Sequence, residues 1–272
     1  MELSGTVGIL TGASRGIGPV IARHLAVKGV DLVLAARSPD GLRATAENVR
    51  SLGVRAVAVP TDVRHPEALE HLVAVAEREV GPVDLVVNNA GVEHYAYFEE
   101  IELGVIEEII QTNVIAVEML TRLVLPGMVD RARGHIVNIA SAAGKVPTPY
   151  NTVYASSKHA MIGFSWSLRQ EMWGRGVGVS VICPVFVSDT GLVHTWSRGR
   201  RPPSVARSVS PEDVASATVK AIERNLCEVV VSGGLGKVAD VFAALAPDFT
   251  AAVSRRAGLY SFLESGVPYF RR

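Results

Sequence analysis

Apolar residues fall along the chain in short dense runs: Thr6–Leu10, Asp31–Ala35, Arg55–Val59, Val83–Asn88, His135–Ile139, Val177–Cys183 and Glu228–Val231. Runs of this length, rich in Val, Ile and Leu and without polar alternation, fit strands covered on both faces. Helical spacing fills the gaps. Ile17–Lys28 puts Ile17, Val20, Ile21 and Leu25 on one stripe, and Pro66–Val80 opens on proline and carries Leu69, Leu72, Val73 and Ala76. Leu103–Val129 and Tyr154–Arg175 are longer. Ser210-Pro211-Glu212-Asp213 reads as an N-cap, a first-turn proline and two acids matched to the helix dipole, opening a helix towards Asn225. Strand and helix alternate about six times without an internal linker or repeat, which predicts an α/β fold: one open parallel sheet with helices on both faces.

Two segments break the rhythm. Residues 185–209 carry Arg198, Arg200, Arg201 and Arg207 with Pro202-Pro203, and are expected to form a lid. Residues 233–272 follow the last strand. Their Phe242, Leu245, Phe249, Leu259, Tyr260, Phe262, Leu263, Tyr269 and Phe270 are too apolar for a free tail. They are expected to pack on the same domain or on a neighbouring subunit, with peripheral attachment to a bilayer surface as the lesser option.

Composition narrows the function. Hydrophobic residues make up 48% of the 272, enough for a sizeable core, and 27 basic residues balance 27 acidic ones. A chain with no net charge and no basic face is not expected to bind nucleic acid. Cys183 and Cys227 are too few for a disulfide framework, and the seven histidines lack metal-ligand spacing, so a cytoplasmic setting and no metal are expected. No basic leader or cleavage site precedes the first strand, so no signal peptide is expected. Without an unbroken run of about 18 apolar residues, no membrane-spanning helix is expected either.

The first strand ends in Thr11-Gly12-Ala13-Ser14-Arg15-Gly16-Ile17-Gly18. Glycines allow positive φ and let an anion reach bare backbone, and the helix that follows presents unpaired N–H groups. In an open parallel sheet ligands lie beyond the strand C-termini, where this turn sits.

The spacing is TGxxxGxG, and here the sequence resembles the short-chain dehydrogenase/reductase family. Asn88-Asn89-Ala90-Gly91 is similar to the family's NNAG segment, Asn113 lies in the next long helix, Ser141 follows the fifth strand, and Tyr154-Ala-Ser-Ser-Lys158 is the YxxxK element. The motifs cover residues from about 5 to 232 in the family's order. The resemblance implies a single-domain Rossmann-type doubly wound sheet of about seven strands. Residues 1–232 would form the dinucleotide-binding and catalytic domain. It also implies a nicotinamide dinucleotide, a small carbonyl or alcohol substrate, and a homodimer or homotetramer built on the two long helices.

Cofactor choice turns on the end of the second strand. NAD-binders place an acid there for the ribose 2′-hydroxyl, whereas this chain has Ala36, Arg37 and Ser38. A carboxylate would repel a 2′-phosphate and a guanidinium binds it bidentately, so NADP is expected, with NAD as the alternative. By resemblance Arg15 is the second basic residue of NADP-preferring members, and Asp62 with Val63 borders the adenine. Gly12, Ser14, Gly16, Ile17, Gly18, Asn89, Ala90, Gly91, Pro184 and Val187 complete the expected cofactor set.

Tyr154 and Lys158 are four apart on a predicted helix and share a face, about 6 Å or one turn apart. A phenol with a pKa of about 10 is a weak acid–base catalyst at neutral pH, and a nearby ammonium is expected to lower that value. The resemblance implies that Tyr154 gives its proton to the carbonyl oxygen as hydride arrives from the nicotinamide. Lys158 would also hold the ribose, Ser141 would donate a hydrogen bond to the substrate oxygen, and Asn113 would support a water chain. The chain departs from the family where Val185 and Asp189 replace a glycine and a threonine near the carboxamide. Tyr95, Val146, Tyr150, Phe186, Leu192 and Trp196 are expected to line a pocket with few fixed charges, suited to an apolar carbonyl. The readings that compete with an NADP-dependent ketoreductase are an NAD-dependent secondary alcohol dehydrogenase and a non-catalytic NADP-binding sensor or scaffold.

Overall fold

The computed structural model describes the chain except residues 204–205, 207, 233–242, 244 and 272, so Arg207 and Phe242 lie outside the described residues. The first strand, β1 (Val7–Thr11), is flanked by β2 (Asp31–Ala36) on one side and β4 (Leu85–Asn88) on the other. With β3 (Ala56–Pro60), β5 (Gly134–Ile139), β6 (Val177–Pro184) and β9 (Glu228–Val231), these form a seven-stranded sheet in the order β3-β2-β1-β4-β5-β6-β9. Every pairing is parallel. All residues of β1, β4, β5 and β6 are buried, as apolar runs without alternation require.

One face is covered by α1 (Gly18–Val27), α2 (Pro39–Arg50) and α8 (Pro211–Arg224), whose Ile21, Leu25, Leu42, Val49, Val214 and Ile222 share a core with the sheet. The other is covered by α3 (Pro66–Glu79), α5 (Ala116–Asp130) and α6 (Thr152–Glu171), through Leu69, Leu72, Leu120, Val124 and Leu168. The capping box at Ser210 and Asp213 is present. Helix α2 has no counterpart among the periodic stretches named above. Its inner face mixes Leu42, Thr45, Ala46 and Val49, too polar to stand out as a stripe.

α4 (Leu103–Ile110) runs through a π turn, Gln111–Ile115, into α5. The resulting 28-residue helix is long and apolar enough to cross a membrane by length and composition, contrary to the expectation above. That expectation required an unbroken apolar run, whereas this helix carries Glu107, Glu108, Glu118 and Arg122 among its apolar residues. Ile109, Val117, Leu120, Val124 and Met128 on it are buried inside the domain.

Beyond β6 come β7 (Phe186–Val187), α7 (Gly191–Ser197) and β8 (Ser208–Val209), a two-stranded ribbon with a helix between its strands. The C-terminal segment forms α9 (Pro247–Arg256), α10 (Leu259–Glu264) and α11 (Val267–Phe270). Leu263 and Val267 are buried against Tyr95 and Trp196, with Phe186, Phe262 and Phe270 around them. Polar contacts fasten this segment: the Tyr97 hydroxyl donates to Glu264 Oε1 at 2.5 Å, and Arg200 donates to Ser265 Oγ at 2.9 Å.

Candidate active site

The crevice opens where β1 and β4, neighbours in the sheet, send their chains to opposite faces. The glycine turn takes φ of +66° at Gly12 and +69° at Gly16. A Cβ on Gly12 would sit 2.8 Å from Asn89 Nδ2 and 2.9 Å from the Ala90 backbone, so only glycine fits there. Asn89 locks the turn by donating from Nδ2 to the carbonyls of Thr11 (3.0 Å) and Gly12 (3.1 Å). Thr11 Oγ1 accepts from the Asn89 and Ala90 N–H groups at 3.0 Å each. Helix α1 carries no side-chain cap and has proline in its first turn, leaving its N-terminal N–H groups for a ligand.

The cleft has a volume of about 1340 Å³. At one end it is lined by Gly12, Ser14, Arg15, Gly16 and Ile17, and by Arg37, Ser38, Asp62 and Val63. Asn89, Ala90 and Gly91 line the middle, and Ser141, Tyr154, Lys158, Pro184 and Val187 the far end. Gly18 is absent from the lining. It lies beneath the turn, where a Cβ would stand 2.2 Å from the Gly12 carbonyl oxygen, so its role is close helix–strand packing. A long cleft with a bare glycine cradle, an uncapped helix start and two arginines at one end fits a dinucleotide.

Near Arg37 and Asp62 the charges form a network. Arg64 pairs with Asp62 (2.6 Å) and with Glu108 of α4 (3.2 Å), and Arg37 approaches Glu108 at 3.8 Å. Hydrogen bonds from Arg64 hold the Asp62 carboxyl down at about 2. Neither Arg64 nor Glu108 belonged to the expected set, because one lies beyond its motif and the other on a helix distant in sequence.

At the other end, Ser141 follows β5 in extended conformation and its Oγ accepts from the Ala143 N–H at 3.1 Å. Lys158 is buried, and its Nζ donates to the Ile139 carbonyl at 2.9 Å and lies 5.5 Å from the centroid of the Tyr154 ring. Burial lowers the Lys158 ammonium to about 8. The Tyr154 phenol is pushed up, by burial and then by the charge of Glu93, with the Ser141 hydroxyl opposing. This corrects the expectation of a lowered phenol: at this depth desolvation outweighs the stabilisation of a phenolate.

Asn113 is fully buried in the π turn and does not line the cleft. Its Oδ1 accepts from the Val92 N–H at 2.9 Å, and its Nδ2 donates to the Val92 carbonyl (2.9 Å) and to Ser157 Oγ (3.0 Å). It therefore braces the turn after β4 against α6. Of the expected pocket residues, Tyr95, Val146, Phe186 and Leu192 line the cleft. Tyr150 and Trp196 do not, being drawn into the aromatic cluster under the C-terminal segment. Val185 lines the cleft, whereas Ser188 Oγ turns to Asp189 and the Val209 carbonyl, and Asp189 sits in left-handed backbone at φ +63°.

The sequence reading missed Glu93. It lines the cleft, with Oε2 accepting from Asn151 Nδ2 at 3.1 Å and Oε1 from Trp196 Nε1 at 3.2 Å. Desolvation raises its carboxyl to about 7. The available signal was its position, an acid two residues beyond the glycine that ends the turn after β4.

A family model described as short chain dehydrogenase matches residues 6–201. The ketoacyl reductase HetN of Nostoc sp. is 44% identical over 230 residues, covering 85% of this chain and 79% of that protein. A putative ketoacyl reductase of Streptomyces coelicolor is 35% identical over 257 residues, covering 85% and 97%. Among solved structures, a variant of actinorhodin polyketide ketoreductase with NADPH superimposes with a TM-score of 0.78 at 32% identity, over 87% of this chain and 98% of that one. With the ordered motifs placed around one cleft in this sheet, the chain belongs to the short-chain dehydrogenase/reductase family and is an oxidoreductase enzyme.

Proposed function

We propose that this enzyme is an NADPH-dependent ketoreductase acting on a mostly apolar, acyl-chain-like ketone. The observation that carries the reading is Tyr154, a phenol held protonated through the neutral range, beside Ser141 and Lys158 in the cleft that also contains the glycine turn. Reduction needs a protonated donor at the carbonyl oxygen, and a phenol keeps its proton through the neutral range, so Tyr154 is available for that role. Two relatives named ketoacyl reductase and a polyketide ketoreductase support the substrate class.

Bound in the cleft, a reduced nicotinamide would supply hydride to the carbonyl carbon. Tyr154 gives its proton to the carbonyl oxygen, and Ser141 donates a hydrogen bond to that oxygen as negative charge develops. Lys158, whose Nζ lies 5.5 Å from the Tyr154 ring centroid, would hold the nicotinamide ribose and favours the ionised phenol once the proton has left. Arg15 and Arg37 are both exposed at the opposite end and are suited to a 2′-phosphate. Asn113 acts by holding Val92 and, through Ser157, α6. In this reading residues 1–232 bind the dinucleotide and carry the chemistry, 185–209 form a lid, and the C-terminal segment closes the substrate end. The exposed Leu103, Trp166 and Trp173 on or beside the long helices support assembly into a homodimer or homotetramer. Among the described residues neither Cys183 nor Cys227 is in a disulfide, which suits a cytoplasmic setting.

The test is a panel of aliphatic, aromatic and acyl-chain ketones with NADPH and with NADH, followed by nicotinamide absorbance. Turnover with NADPH is expected. Equal efficiency with NADH would favour the NAD-linked dehydrogenase, and tight NADPH binding without turnover would favour a sensor.

A further inference from the structure

The carboxylate of Glu93 has no part in the chemistry above, yet it lies in the substrate end of the cleft. Its two oxygens offer about four lone-pair sites, of which Asn151 Nδ2 and Trp196 Nε1 take one each. Among the described residues no lysine or arginine pairs with it. Its surroundings fix its position: Asn151 is buried where α6 begins, and Trp196 is buried under the aromatic cluster. The groups that face it are Tyr154 and Lys158 from α6 and Tyr95 from its own loop. The cleft it lines also carries the apolar Val146, Phe186 and Leu192.

A fixed carboxyl with spare acceptor sites in an apolar cleft selects among substrates by charge and by hydrogen-bonding groups. A substrate carboxylate would meet like charge whenever Glu93 is ionised, and would otherwise bring its own charge into a desolvated site. An ammonium would have to shed its water into an apolar wall. A hydroxyl both donates and accepts, and so matches the carboxyl whether or not it carries a proton. Resting on the ketoreductase reading, we infer that Glu93, held by Asn151 and Trp196, is a specificity-determining residue that accepts a hydrogen bond from a hydroxyl near the reacting carbonyl and disfavours keto acids.

The test uses the full chain loaded with oxidised NADP, which forms dead-end complexes with ketones and so needs no turnover. Binding of acetophenone, α-hydroxyacetophenone and benzoylformate is measured by calorimetry; the three differ only in a methyl, a hydroxymethyl or a carboxylate on one aryl ketone. The hydroxyketone is expected to bind about tenfold more tightly than acetophenone, and benzoylformate about tenfold more weakly. In Glu93→Gln, which keeps an acceptor oxygen but loses the charge, the benzoylformate ratio should fall to within about threefold. In Glu93→Leu, which has no acceptor, both ratios should, with the change in KM rather than kcat wherever turnover is seen. Equal affinities in the wild type, no binding of the hydroxyketone, or ratios unchanged in Glu93→Leu would overturn the inference. The wild-type ratios decide even if neither variant folds. Expected ratios without turnover of any ketone would leave the inference standing and remove the reductase reading; turnover with ratios unmoved in Glu93→Leu would do the reverse.

Discussion

The two ends of the cleft recognise their ligands with different physics. At the glycine-turn end the working groups are backbone N–H groups and exposed guanidinium groups, and Arg37 and Arg64 share Glu108 in a solvent-screened network. At the Tyr154 end the working groups are embedded. Burial has raised Tyr154 and Glu93 and lowered Lys158, so that each leans towards its uncharged form. Binding specificity can be assembled from exposed charge, whereas proton transfer near neutrality relies on desolvated groups.

Among the residues that support Tyr154 and the cofactor, the largest expected effect lies at the buried end. Lys158→Met should lower kcat by about 10²–10³, since it removes a preorganised charge from the reacting group. The same change should stabilise the protein. The Lys158 amine has a value of about 8 in the fold against 10.5 ordinarily. Below pH 8 both the folded and unfolded chain hold the proton, and the buried charge costs about 3 kcal/mol. Between 8 and 10.5 the folded chain sheds it first and stability rises with pH. Thermal melts should therefore show the variant more stable at pH 7, with the gap closing towards pH 10. An unchanged or lower melting temperature at pH 7 would mean that Lys158 is not desolvated.

Next comes the cradle. Gly12→Ala forces a side chain into left-handed backbone and against the Ala90 main chain at 2.9 Å. A loss of about 2 kcal/mol is expected, roughly 4–8 °C in a melt, together with weaker NADPH binding. Arg37→Ala should weaken NADPH about tenfold by fluorescence titration while leaving NADH nearly unaffected. Equal losses for both cofactors would move Arg37 away from the 2′-phosphate. The smallest effect is expected for Glu108→Gln, which frees Arg37 and Arg64 from a competing carboxylate and should tighten NADPH about two- to threefold at low salt.

Legibility differed between the same two regions. The glycine turn, the NNAG segment and the YxxxK element are contiguous in sequence, so their local geometry could be read from residue type and spacing. All seven strands of the main sheet were likewise visible, because strands covered on both faces are written as apolar runs. What could not be read depends on residues brought together only by folding. Glu93 is held by hydrogen bonds from Trp196 and Asn151, 103 and 58 residues away along the chain. Tyr150 and Trp196 lie outside the cleft lining, Tyr150 edge-on against Tyr97 and Trp196 tilted against Tyr95 and Phe262, contacts made between segments far apart in the chain or on different loops. The direction of the Tyr154 shift had the same origin: a nearby lysine is legible as i,i+4 spacing, but the depth at which both sit is not.

The most direct test of the account is Tyr154→Phe, which keeps the ring and removes the one proton that the chemistry needs. NADPH affinity should stay within about threefold of wild type while single-turnover reduction of a ketone slows by about 10³–10⁴. Reduction proceeding at a rate close to wild type, with cofactor still bound, would show that the proton comes from elsewhere.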